Sequence, residues 1–166
     1  MAYFFIVLAG LIHVQIFVLE SLRWGTPKTN RIFGITSDIA KANALFAYNQ
    51  GFYNLFLALA ALGGVLLSFT ESKTIAHTLM MYSAGSMIFA SLVLAYSKKK
   101  FSRPVFIQGL PPLLGVLFFL INFSIKPSID FKVASLSLTL IGAFSFFLCF
   151  ARPCTIYLRN KSKTAE

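Results

Sequence analysis

A chain of 166 residues that is 57% hydrophobic, only 12% charged and yet carries a net charge of +10 does not have the makeup of a water-soluble domain, whose surface needs more charge than this. Nor is the positive charge a nucleic-acid footprint: it is gathered into short connections between apolar runs, with no stacking module or basic recognition helix beside it. What remains is an integral membrane protein, with nucleic acid excluded as a partner.

Five apolar runs, at about 3–22, 44–68, 75–96, 105–125 and 132–151, reach the length that a bilayer core requires of a helix. They do not alternate in polarity as barrel strands do. In lipid each backbone polar group must be paired within its own segment, so these runs predict an all-α, polytopic transmembrane bundle. The expected organisation is a four-helix core over residues 1–126, an additional helix within 127–151 and a basic tail over 152–166.

The first run lacks a basic n-region and a small-residue cleavage site, so it reads as a retained helix. It carries His13 and Glu20, with Trp24 four residues beyond. At 100° per residue, steps of seven and eleven bring all three to nearly one face. A connection with Arg23, Lys28, Arg31 and Lys41 follows. In it Ser37-Asp38 reads as an N-cap, so the second helix is expected to begin before the membrane does.

The second helix bears Asn43, Gln50 and Asn54 in one stripe, with Asn49 and Tyr53 beside it. Its small residues (Ala58, Ala60, Ala61, Gly63, Gly64), and those of the third helix (Ser83, Gly85, Ser86, Ala90), suit close helix packing in lipid. Tyr96 ends the third helix, before Lys98, Lys99, Lys100 and Arg103. Pro104 opens the fourth, Gln108 lies a turn inside it, and Pro111-Pro112 are expected to bend it or break its first turns. Pro127 ends that helix and Pro153 the fifth. Cys149 and Cys154 match no metal-ligand spacing, and a reducing cytoplasm disfavours a disulfide between them.

The basic residues set the topology. With five spans, the connection between helices one and two, that between three and four, and the tail (Arg152, Arg159, Lys161, Lys163) share one face. They hold all fifteen Lys and Arg except Lys73, Lys126 and Lys132. The positive-inside rule then predicts an extracytoplasmic N-terminus and a cytoplasmic C-terminus. The same basic loops favour anionic headgroups on the inner leaflet.

In this topology His13, Glu20, Asn49, Gln50, Tyr53, Asn54 and Gln108 fall in the cytoplasmic half of the bilayer or at its middle. Ionisable groups inside a membrane are costly, which makes them candidate functional residues. The expectation is a polar pocket open to the cytoplasm and closed near His13, with Glu20 and His13 as proton-transferring groups. Trp24, Asn49, Gln50, Tyr53, Asn54 and Gln108 would line it. Each also has a plainer reading: amides and Tyr53 as interhelical hydrogen-bond glue, Trp24 as an interfacial anchor, Glu20 paired with Arg23 or Lys28.

His13 with Glu20, Trp24, Pro27 and Phe33, then Asn49-Gln50-Gly51-Phe52-Tyr53-Asn54, then Gln108-Gly109-Leu110-Pro111 resemble a small bacterial membrane family, the domain-of-unknown-function 1304 family. The resemblance covers about residues 5–125 and implies a four-helix core in a bacterial inner membrane, so the fifth run departs from it. It implies no reaction.

Three functions are compatible with these residues. An enzyme or binder of a lipophilic small molecule would use Glu20 as a general acid for isomerisation, epoxide opening or cyclisation. A small proton-coupled transporter or channel, as a homo-oligomer, would use Glu20 with His13. An assembly protein would use the same residues as glue. No metal triad, nucleophile elbow or nucleotide loop is present, so no cofactor is expected.

Overall fold

The computed structural model describes residues 1–98 and 103–125. The fifth apolar run, Cys149, Cys154, Pro127 and the basic tail lie outside the described residues. Helices α1 (Ala2–Phe17), α4 (Ala44–Leu67), α5 (Lys73–Lys98) and α6 (Arg103–Ile125) are the long elements, and two short helices, α2 (Pro27–Phe33) and α3 (Ser37–Ala42), join α1 to α4. A π-helical turn, Val18–Leu22, prolongs α1. Among the described residues, four segments are long and apolar enough to cross a membrane: Ala2–Leu22, Ala44–Leu67, Lys73–Ser97 and Arg103–Asn122.

The four spans close into a ring in which α1 packs on α4, α4 on α5, α5 on α6 and α6 back on α1, while α1 and α5 face each other across it. In lipid the apolar tails are as good a solvent for leucine as a neighbouring helix is, so close packing must hold the spans together. Glycines provide it on every seam. A Cβ on Gly10 would lie 2.8 Å from Leu62 Cγ, one on Gly64 2.8 Å from Met80 Cγ, and one on Gly115 2.7 Å from Ile6 Cδ1. On the α5–α6 seam, a Cβ on Gly109 would strike Ser91. Ile6, Ala9, Ala61, Val65, Ala76, Met80, Ala84 and Met87 fill the interior.

Neighbouring spans run antiparallel, so one end of the bundle carries the α1–α4 connection and the start of α6. Arg23, Lys28, Arg31, Lys41 and Arg103 lie there, against Asp38 alone in that connection. At the opposite end, among the described residues, the charged side chains Glu71 and Lys73 match one for one. We call the first the basic end.

The α2–α3 hairpin at this end is built by capping. Thr26 accepts the Thr29 N–H at 3.3 Å, and Pro27 takes the first helical position, where its missing N–H costs nothing. Gly34 stops α2 in the left-handed conformation (φ 66°). Thr36, not Ser37 or Asp38, caps α3, accepting the Ile39 N–H at 3.3 Å. The chain then breaks at Asn43 (φ −107°, ψ 11°) and α4 begins. The segment from Ser37 is thus a separate short helix rather than the first turns of the second span, which begins at Ala44.

Helix α6 runs through Pro111 and Pro112 without interruption. Proline has no N–H, so the carbonyls of Ile107 and Gln108 lose the α-helical donor four residues on.

Candidate functional site

The π turn places Glu20. Widening one turn of α1, with the Arg23 N–H bonded to the Val18 carbonyl at 2.9 Å, brings residues 20 and 21 against α4. There Gly51 leaves room: a Cβ would strike Ser21 Oγ and come within 3.2 Å of Glu20 Cβ. Ser21 Oγ donates to the Tyr48 carbonyl at 2.8 Å. Asn54 Nδ2, one turn deeper on α4, donates to Glu20 Oε2 at 2.9 Å and to the Gln50 carbonyl at 3.1 Å. π turns of this kind occur often at functional sites.

Glu20 is half-buried and Asn54 is buried at 5% exposure. The partner of this carboxylate within the span is a neutral amide, and neither Arg23 nor Lys28 pairs with it. A carboxylate paired with a cation is a common way to stabilise a helix end; the one here is held by an amide, with no cation beside it among the described residues of the bundle.

His13 lies fully buried, seven residues from Glu20 and so about 10 Å along the helix. Its Nδ1 is 2.9 Å from the Ala9 carbonyl, which can only accept, so Nδ1 carries hydrogen. In the neutral ring Nε2 is then a bare acceptor, buried without a partner. Ile6 meets Gly115 on α6, and two helical turns further along α1 His13 falls near the level of Gln108 on the antiparallel helix. Gln108 is half-buried.

The remaining residues expected at the site spread out. Gln50 contributes its carbonyl, while its side chain, like Asn49, is exposed. Tyr53 points outward at 61% exposure. Asn43 Nδ2 bonds back to the Ile39 carbonyl at 2.9 Å and takes no part. Trp24 donates from Nε1 to the Ala40 carbonyl at 2.8 Å and packs on Phe33 at 5.3 Å between ring centroids, so it serves the hairpin. His77, assigned no role, sits on the Phe119 ring at 4.9 Å.

A comparison within the chain sharpens the picture. Gln50-Gly51 on α4 packs on Ser21 of the preceding span, and Gln108-Gly109 on α6 packs on Ser91 of the span before it. The two halves thus use the same seam: a glycine after a glutamine, seated on a serine. At matching offsets the first half has Glu20 and Asn54, the second Ala90 and Pro112. The carboxylate–amide pair is therefore not needed for this kind of seam. The two Gln-Gly pairs stand plainly in the sequence, but the serines that they meet are remote in the chain.

Among the described residues, these features define a helical membrane bundle of four candidate spans with a carboxylate–amide pair inside one end. The chain belongs to the DUF1304 family, proteins of unknown function, whose model matches residues 7–120. Neither the curated proteins nor the solved structures provide a match.

Proposed function

We propose that this protein holds a lipophilic small molecule at the basic end of its bundle and exchanges a proton with it through Glu20. The observation that carries this is the 2.9 Å bond from Asn54 to Glu20. It fixes one carboxyl oxygen with a neutral donor and leaves the second for a ligand. Residues that only packed the seam would not need the pair, since Ala90 and Pro112 stand at its place in the second half.

His13 forms the floor of the site, its bare Nε2 accepting from a hydroxyl or other donor of the ligand. Gln108 lines the same level from α6. The basic end faces the cytoplasm in this reading, as the positive-inside rule favours. Protonation or deprotonation of an apolar substrate, as in isomerisation, epoxide opening or cyclisation of an isoprenoid, is the reaction class that suits a carboxyl group held by a neutral donor.

A path through the membrane along the bundle axis would have to cross the apolar interior of Ile6, Ala61, Val65, Ala76 and Met80. That favours a one-ended site over a proton-coupled transporter or channel. The structural reading has one observation of its own: the Glu20–Asn54 bond spans the α1–α4 seam and pins it.

Native mass spectrometry of the detergent-purified protein beside Glu20→Gln separates the two. Glutamine keeps an acceptor for Asn54 but cannot exchange a proton. A defined lipophilic ligand on the wild type, lost or chemically altered in the variant, supports the site. A wild type that carries nothing, with an equally folded variant, returns Glu20 to a seam role.

A further inference from the structure

The α2–α3 hairpin has an inside and an outside of different character. Inside, Thr29, Asn30 and Ala40 are buried, and Trp24 and Phe33 pack between the two short helices. Outside, Lys28, Arg31 and Lys41 are exposed, and so is Arg23 just before the hairpin. Among these cations stand two exposed aliphatic residues, Ile32 (51%) and Ile39 (48%). Asp38 is the single carboxylate on the hairpin.

An exposed isoleucine on each short helix has no use in bulk water. Beside lysine and arginine it matches the boundary between acyl chains and headgroups, where apolar side chains enter the former and cations meet the latter. The hairpin sits at that level, because the span ending at Leu22 is just long enough to cross the hydrocarbon. The opposite end of the described bundle, with Glu71 and Lys73, has no such excess.

We propose that the α2–α3 hairpin is a binding element for anionic phospholipid. Lys28, Arg31 and Lys41 take phosphate headgroups while Ile32 and Ile39 enter the acyl boundary. The lipid holds the hairpin, and with it Trp24 and the start of α4, in the place described. The binding is independent of any ligand at Glu20.

Trp24 is the only tryptophan in the chain and is pinned inside the hairpin, so its fluorescence reports on this element alone. The test reconstitutes the full chain in phosphatidylcholine vesicles doped with brominated phosphatidylglycerol or, at equal mole fraction, brominated phosphatidylcholine. Quenching several-fold stronger by the anionic lipid is the expected result. Neutralising Lys28→Gln and Arg31→Gln together should abolish most of that preference, since a basic residue at an anionic surface is worth up to about fivefold. Lys28→Arg with Arg31→Lys should keep it.

Trp24 emission in pure phosphatidylcholine shows whether each variant retains the hairpin. A neutralised variant that loses this emission is replaced by Lys41→Gln, which must then show the drop. Equal quenching by the two lipids in the wild type would overturn the proposal. So would displacement by inorganic phosphate beyond that by chloride at matched ionic strength, because the site would then take free phosphate rather than lipid.

Discussion

Gly51 and Ser21 meet so closely that the α1–α4 seam has no room for a methyl group between them: a Cβ at residue 51 would strike Ser21 Oγ and lie 3.0 Å from the Ser21 backbone nitrogen. The serine hydroxyl can rotate away, but the backbone of the π turn cannot. Gly51→Ala should therefore destabilise the bundle by about 1–3 kcal/mol, the usual range for overpacking. Ser21→Ala in the same chain should recover only part of the loss. Thermal unfolding in detergent measures both.

Gly63 and Gly64 are adjacent on α4 and should respond oppositely to alanine. A Cβ on Gly64 meets Met80 Cγ at 2.8 Å and the Ala76 carbonyl oxygen at 2.9 Å, whereas one on Gly63 meets nothing within 4 Å. Gly64→Ala should lower the unfolding temperature. Gly63→Ala should leave it unchanged or raise stability by up to about 1 kcal/mol through helix propensity. Equal effects would mean that the α4–α5 seam is elsewhere on the helix.

For Glu20 and Asn54 a double-mutant cycle is the direct measurement. Hydrogen bonds between membrane helices couple by about 0.6 kcal/mol on average and rarely beyond about 1.7. Glu20→Ala and Asn54→Ala should give a coupling in that range by reversible unfolding in detergent. Glu20→Gln should retain most of the stability while losing the ligand. A coupling of zero would mean that the two side chains do not bond across the seam.

Trp24→Phe keeps the ring against Phe33 but removes the donor to the Ala40 carbonyl, 2.8 Å away. The expected cost is about 0.5–1.5 kcal/mol, borne by the hairpin rather than the bundle. Hydrogen exchange should accelerate across residues 26–43 and stay unchanged in α5. Uniform acceleration would show that hairpin and bundle open together.

The spans were legible because length is a strong signal: the run read as 44–68 is the helix Ala44–Leu67, and that read as 105–125 is Arg103–Ile125. The hairpin was less so, although its punctuation is plain in retrospect. Thr26-Pro27 and Gly34 are a helix start and stop, and Thr36 precedes the residues assigned as the cap. Short helices have too few residues for periodicity to stand out. The amide stripe of Asn43, Gln50 and Asn54 assumed one continuous helix. The break at Asn43 takes that residue out of the stripe while Gln50 and Asn54 keep their phase in α4, and of the three only Asn54 reaches Glu20 through its side chain. Which spans are neighbours is set by contacts between distant glycines and their partners, which no local pattern records.

The π turn at Val18–Leu22 has the arithmetic of a one-residue insertion. Rewinding the turn as ordinary α-helix with the residue count unchanged would rotate everything beyond it by about 100° relative to the first four turns. The chain before the turn would stay seated on Leu62 and Gly115, yet Glu20 would leave Asn54 and Ser21 would leave Gly51. The π turn thus acts as an angular setting: it absorbs one residue so that the carboxylate faces its partner, and losing the turn without losing a residue would disengage the pair without touching a single side chain of the site.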